Sequence, residues 1–366
     1  MAFAAGFASV RQFNDTVRAV FARTPSELRH TASNRKSSDA SLRNTAHNKS
    51  SAPVQTISLR LAYREPFAGR TLLDFLGARA IPGVEEYDSG TYRRSLDLPN
   101  GSGSVALALG DGFVRADFAL DDLRDLTTAV ARCRQLCNLD SDPIAVDEAL
   151  SKDPLLRRVV GGVPGMRVPG AADGFELAIR AVVGQQVSVT GASTIAGRLT
   201  ALAGSPLENP SPGLTHTFPT PMALAELARR TPEVFPMPAG RRRALTALAE
   251  GVADGSVTID VGTHPAELEA QLRAIPGIGP WTSSYIVMRA LGDPDSFMPT
   301  DLGIRRAAAA LGLPVDPASL TAHAERWRPW RSYALCHMWS AQLPSAQLPT
   351  EAKRQTRRQT KGESAA

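Results

Sequence analysis

The feature that most constrains this chain is a change of hydrophobic period part-way along it. Through "VQTISLRLAY" and "TYRRSLDLPNGSGSVALALGDGFVRADFAL" apolar residues alternate with polar ones and Asn/Gly turns separate the runs. That is the pattern of antiparallel strands with one buried face. Two stretches at helical spacing, "AGRTLLDFLGARAI" and "LRDLTTAVARCRQLCNL", accompany them, so residues 54–137 are predicted to form a small α+β domain. Beyond it the strand signal fades. "DGFELAIRAVVGQQVSVTGASTIAGRLTALAG" places apolar residues at helical spacing behind Asp173, a natural N-cap, and "PMALAELARR", "RRRALTALAEGVADG", "HPAELEAQLRAI" and "DLGIRRAAAALG" continue in that manner. Frequent Pro and Gly keep these helices short, which predicts an all-helical body over 138–345. The fold class is therefore α+β, a sheet-bearing domain followed by a helical one.

With 366 residues, 43% hydrophobic and 21% charged, the chain is long enough for two or three domains with cores of their own. It has no apolar run of membrane-spanning length and no secretory leader pattern, so a soluble, cytoplasmic, nucleoid-associated protein with no membrane partner is expected. Cys133, Cys137 and Cys336 are too few for a disulfide framework, a four-thiolate zinc site or a four-cysteine iron–sulfur cluster, and read as ordinary buried thiols. The flanks carry the positive charge. Residues 1–50 hold eight Lys or Arg against three acids and residues 351–366 five against two, leaving the body at −3 of an overall +5. Nucleic acid, if bound by that body, must be gripped through local geometry and not through a global basic field. Residues 31–53, Ser/Asn-rich and poor in apolar side chains, are predicted as a linker, and 346–366 as a disordered basic tail.

In "IPGIGPWTSSY" two glycines bracket Ile278 after Pro276, and Trp281 follows at once. With a helical stretch on each side this reads as helix–hairpin–helix over 263–291. Gly277 and Gly279 allow positive φ and put no Cβ in the way, so main-chain amides at the second helix's start can point at a phosphate oxygen. Such a grip needs no lysine, in keeping with the acidic body. A dinucleotide-binding loop is disfavoured, because no strand precedes the glycines and the third glycine of that fingerprint is missing. A corner that merely packs accounts for Pro and Gly, but not easily for both glycines around Ile278. Trp281 and Tyr285, four apart, share a helix face. Trp327 and Trp330 read as core. Further on, "FMPTDLGIRRAAAALG" sets Asp301 at a helix start, where an Asp is ordinarily a cap or dipole partner.

Taken together, these motifs resemble the helix–hairpin–helix DNA glycosylase superfamily, and within it the DNA-3-methyladenine glycosylase II family. "LRAIPGIGPWTSSYIVMRAL" followed by "FMPTDLGIRR", with "FELAIRAVVGQQVSV" before and "ERWRPWRSYALCHMW" after, stand in the family's order within residues 54 to about 345. The resemblance implies a TATA-binding-protein-like N-terminal domain and two helical subdomains with the active site in the cleft between them. It also implies flipping of an alkylated nucleotide from double-stranded DNA into that cleft. By the same resemblance Asp301 is the catalytic carboxylate, and Trp281, Tyr285 and Trp339 line the base cleft. Pro276, Gly277, Ile278 and Gly279 then anchor the DNA backbone, with main-chain carbonyls that can hold a monovalent ion. No other metal or cofactor is implied, and a monomer is expected.

Two departures from the family pattern stand out. Gln186 occupies the place where close relatives put a Leu that wedges into the gap left by the flipped base; a Gln there fills space and can hydrogen-bond the orphaned base. Ser340 stands where a relative has Tyr, which implies a wider cleft. Bifunctional members of the superfamily carry a Schiff-base Lys where this chain has Trp281, so hydrolysis without strand cleavage is expected. Alkylation at a ring nitrogen makes a purine cationic and a better leaving group, which Asp301 would assist by stabilising an oxocarbenium-like sugar. Residues 1–30, "MAFAAGFASVRQFNDTVRAVFARTPSELR", resemble the second helix–turn–helix of AraC-type regulators, as in fusions of adaptive-response regulators with glycosylases. The competing reading is a non-catalytic DNA-binding protein that uses the hairpin and the N-terminal helices, with Asp301 a cap.

Overall fold

The computed structural model describes residues 56–231, 235 and 237–341. The expectations for residues 1–30, 31–53 and 346–366 lie outside the described residues. Strands β1 (Thr56–Ala62), β2 (Glu85–Asp88), β3 (Thr91–Leu98), β4 (Gly101–Leu109) and β5 (Phe113–Leu120) form one antiparallel sheet in the order β1-β5-β4-β3-β2. Helix α1 (Gly69–Gly77) connects β1 to β2, and α2 (Leu126–Leu136) follows β5. The alternation seen in the sequence becomes a row across the sheet: Leu59 pairs with Ala116, Ala116 with Leu107 and Leu107 with Tyr92. Leu72, Leu73 and Leu76 of α1 and Ala129, Cys133 and Leu136 of α2 pack in the same core as this row.

Arg94, opposite Val105 in register, breaks the apolar pattern and is nevertheless buried. A buried charge persists only if it is paired and hydrogen-bonded. Arg94 donates to Glu85 and to Glu176, the latter at 2.6 Å, and Arg180 donates to both carboxylates at 2.9 Å. Burial alone would push Glu85 up; Arg180 and Arg94 outweigh it and hold its carboxyl below the usual range. Glu176 and Arg180 lie on α5 (Gly174–Val183), so this network ties the sheet domain to the helical body.

That body continues with α3 (Pro143–Leu150) and α4 (Pro154–Gly162) before α5, and α6 (Val189–Ala203), α7 (Pro221–Arg230), α8 (Ala239–Ala253), α9 (Pro265–Arg273) and α10 (Pro280–Ile286) after it. A wide π-type turn over Val287–Leu291 follows, then α11 (Leu302–Leu311), α12 (Pro317–Ala324) and α13 (Arg331–Ser340). Several starts are written in the sequence: Asp142, Asp153, Asp173, Thr220 and Asp316 each accept a backbone N–H of the helix they precede. Helices α5 to α10 share one apolar core. A second core joins α3 and α4 to α11, α12 and α13 and includes Trp327, whose N–H donates to buried Asp153 at 2.8 Å.

The structure departs from the all-helical expectation at one place. Strands β6 (Pro206–Ser211) and β7 (Leu214–His216) form a small hairpin, and it bonds back to the first domain, with Thr215 N donating to Gly83 O at 2.8 Å and Ser95 Oγ to His216 O at 2.7 Å. Pro206, Pro210 and Pro212 cannot supply helical N–H donors, so this backbone finds its partners across a turn instead.

Candidate active site

A cavity of about 900 Å³ opens where the sheet domain meets the two helical cores. Its wall is drawn from α1, α5, α6, α10, the cap of α11 and the end of α13, and it includes Trp281, Tyr285, Asp301, Trp339 and Ser340. Residues as far apart in the chain as Thr71 and Ser340 are thus brought onto one surface.

Asp301 is the N-cap of α11, its Oδ1 accepting from Ile304 N at 2.8 Å. Two indoles converge on the same carboxylate: Trp281 Nε1 donates to Oδ2 at 2.8 Å and Trp339 Nε1 to Oδ1 at 3.0 Å. An ordinary cap needs neither. Each indole fixes one oxygen, so the carboxylate is clamped in rotation while remaining half-exposed on the cavity wall. The packing is close: a Cβ on Gly303 would lie 3.0 Å from Asp301 Oδ1 and 3.3 Å from the Trp339 ring, so a larger residue there would displace the pair.

Trp281 stacks on Tyr285, ring centroids 5.2 Å apart and planes 8° from parallel. The phenol oxygen of Tyr285 accepts from Arg289 at 2.7 Å, and Arg289 is held by the carbonyls of Pro169 and Gly170. Burial would push the Tyr285 phenol up; Arg289, with Arg79 and Arg180, outweighs it and holds the phenol below its ordinary value. Arg289 sits in the π-type turn, a local insertion that often marks a functional site.

At the hairpin, Gly277 has φ +100°, which favours glycine, and a Cβ on it would approach Ala244 to 3.0 Å. Gly279 differs from the expectation of two left-handed glycines. It is an extended N-cap at φ −91°, where any residue fits, and a Cβ there would meet nothing within 4 Å. Its open side therefore answers to no demand of the fold. Ile278 is buried in the core of α5 to α10, whereas Pro276, Gly277 and Gly279 are exposed. Ser283 and Ser284 of α10 donate to Glu269 of α9 and lock the two helices together.

The helix expected to run on from Asp173 breaks at residues 184–188, and Ser188 caps α6 anew. Gln186 lies in this turn, exposed and at φ +57°. It stands beside the cavity mouth, where Val187 and Val189 line the wall, but is not itself on that wall. Gln185 instead points at the hairpin, donating to Gly277 O at 3.0 Å and to Thr282 Oγ1 at 3.1 Å.

The comparisons with known proteins agree with this architecture. A family model described as the AlkA N-terminal domain matches residues 58–173. DNA-3-methyladenine glycosylase 2 of Escherichia coli (strain K12) is 32% identical, covering 76% of this chain and 95% of its own. The chain belongs to the DNA-3-methyladenine glycosylase II family. The relative from Mycobacterium tuberculosis named "Probable bifunctional transcriptional activator/DNA repair enzyme AlkA" is 48% identical over 96% of this chain and 68% of its own length. The solved 3-methyladenine DNA-glycosylase from Archaeoglobus fulgidus shares the fold, with a TM-score of 0.65 at 20% identity over 76% of this chain and 96% of that one.

In this member of the DNA-3-methyladenine glycosylase II family, three cavity residues and Gly303, packed behind Asp301 and Trp339, escaped the sequence reading. Phe75 of α1 and Arg79, in the turn just after it, come from the first domain, and no local signal ties them to Trp281 and Asp301, more than 200 positions away. Arg289 had a signal, since it stands at i+4 from Tyr285 on one helix. Gly303, two residues after Asp301, had none. Burial pushes the thiols of Cys137 and Cys336 up to about 12, as befits inert buried cysteines. Among the described residues no cluster of His, Cys, Asp or Glu is placed to hold a metal ion, and no helix is long and apolar enough to cross a membrane.

Proposed function

We propose that this chain is a monofunctional DNA glycosylase that grips duplex DNA by its hairpin, turns an alkylated nucleotide into the cleft and hydrolyses its N-glycosidic bond. The observation that carries this reading is the Asp301 carboxylate, clamped by two indole N–H donors on the wall of a cavity large enough for a flipped base. A purine alkylated on a ring nitrogen is cationic, and its departure leaves positive charge on the sugar. A preorganised carboxylate beside C1′ stabilises that charge without having to reorient. Ring faces of Trp281 and Trp339 add about 0.5–2 kcal/mol per good contact with a cationic base. Among the described residues no lysine lines the cavity, which supports hydrolysis over Schiff-base chemistry.

The hairpin from Pro276 to Gly279 anchors the phosphate backbone. Its main-chain oxygens suit a monovalent cation, although that of Gly277 already accepts from Gln185. Gln186, outside the cavity at its rim, fills the space the base vacates. Carboxylate, ring stack and hairpin all belong to one chain, in keeping with action as a monomer. Residues 1–30 are read as a partial AraC-type module, a reading supported by the name of the M. tuberculosis relative.

The test is to incubate the protein with methylated duplex DNA and count abasic sites. Sites should appear that break only on heating or alkali, with no adduct trapped by borohydride. Direct nicking or a trapped adduct would refute the monofunctional mechanism, and no abasic sites at all would refute the glycosylase reading.

A further inference from the structure

Among the described residues four guanidinium groups line the cleft, those of Arg79, Arg167, Arg180 and Arg289, against two carboxylates, Asp74 and Asp301. Three of the four are committed. Arg180 is paired with Glu85 and Glu176, Arg167 donates to the carbonyls of Arg64 and Gly165, and Arg289 is held by two carbonyls and Tyr285. Arg79 is not. Its side chain makes one hydrogen bond, to Phe75 O at 3.1 Å, and forms no ion pair among the described residues. A guanidinium offers five N–H donors, so most of those of Arg79 remain for a ligand. Its position is nonetheless fixed, because its own carbonyl accepts from Arg180 at 2.6 Å and its Cζ lies 3.7 Å over the Phe75 ring.

The aromatic faces nearby are also partly spent. Arg289 covers Phe75 at 5.1 Å and Tyr285 at 5.5 Å, so both rings already hold a cation. A pocket that served only cationic bases would have no use for a fixed, unpaired positive charge in its wall. An uncharged purine poses the opposite problem. When its C1′–N9 bond breaks, the electron pair stays with the base, which becomes an anion. Water adds to C1′ and releases a proton, and the base takes up a proton from solvent, so the sum is hydrolysis. The barrier lies in the anionic leaving group, and a hydrogen-bond donor aimed at the purine's carbonyl or ring nitrogen lowers it.

We propose that Arg79, supplied by the sheet domain, is the residue through which this cleft releases uncharged oxopurines, donating to the acceptor edge of the base and stabilising the negative charge it gains. This rests on the glycosylase reading. It deepens that reading by dividing the substrates: Asp301 serves every base, and Arg79 serves those that leave as anions.

The experiment is single-turnover release of hypoxanthine, uncharged, and of 7-methylguanine, cationic, from otherwise identical duplexes. For Arg79→Met the ratio of the hypoxanthine rate to the 7-methylguanine rate should fall roughly ten- to a hundredfold, the worth of a hydrogen bond from a charged donor. Arg79→Lys, which keeps the charge, should restore part of it. If Arg79→Met fails to fold, Arg79→Gln is measured instead and must lower the ratio at least about threefold. A ratio that stays constant while both rates fall would make Arg79 a packing residue and overturn the proposal. So would a wild-type protein that releases 7-methylguanine but no hypoxanthine. A wild-type protein that releases neither overturns the glycosylase reading itself, and this proposal with it.

Discussion

Replacing Gln186 by Gly should make the protein more stable and a poorer enzyme on duplex DNA, two effects of opposite sign from one side chain. Gln186 is held at φ +57°, in the left-handed region. A residue with a Cβ pays about 1–2 kcal/mol there, and the extra freedom of Gly in the unfolded chain offsets about 0.5–1 kcal/mol of the relief. The net gain is up to about 1.5 kcal/mol, at about 2–4 °C in Tm per kcal/mol for a domain of this size. Against this, extruding a nucleotide costs a few kcal/mol. A wedge that offsets about 1.4 kcal/mol of it changes the duplex rate about tenfold and leaves single strands unaffected. Gln186→Ala keeps the backbone strain but loses the wedge, so it should match Gly on duplex DNA without the gain in Tm. Gln186→Leu should recover much of the duplex rate and flatten any dependence on the opposite base. The assays are thermal denaturation and single-turnover release from matched single and double strands. Equal losses on both substrates would refute the wedge at Gln186 and shift attention to its exposed neighbour Val187. A lower Tm for the Gly variant would refute the strain argument.

Asp301→Asn should abolish base release while binding to abasic DNA stays within about threefold, because the charge acts on the transition state. Since an amide nitrogen cannot accept, one of the two indoles also loses its acceptor, and tryptophan emission should report it; release above a tenth of wild type would sink the assignment. Gly303→Ala should lower the release rate at least about tenfold by moving the carboxylate, with abasic-site binding retained, and an unchanged rate would show that the clamp is loose. Gly279→Val should leave Tm unchanged yet weaken binding to damaged and undamaged DNA alike, since phosphate contacts carry no base information. Gly277→Val, with its left-handed φ and close Ala244, should lower Tm as well, and selective loss of damaged-DNA binding in either variant would show the hairpin misassigned.

Local chemistry was legible in the sequence because it is written at short range. Strand alternation between Thr56 and Leu120, Asp173 as a cap, the Pro–Gly–Ile–Gly turn and the Trp281–Tyr285 pair are all set by residues within a few positions of one another. Trp327 was readable as core for the same reason. What the sequence did not reveal depends on how surfaces meet. The turn at Gln186 interrupts a stretch read as helical, and the adjacent Gln185 finds its partner in the hairpin 92 residues away. Arg94 falls on an inward strand position and makes sense only once Glu176, 82 residues on, is folded against it. The same holds for the centre of the site. Asp301 looks like any helix cap until Trp281 and Trp339, 20 and 38 residues distant, deliver their N–H groups to its two oxygens. Nor does anything near Arg79 say that it faces a cavity, since periodicity identifies which side of a helix is buried but not which surface comes to lie against it. Propensity and spacing act over one or two turns of chain. The position of a charge relative to a cleft is decided by the packing of whole domains.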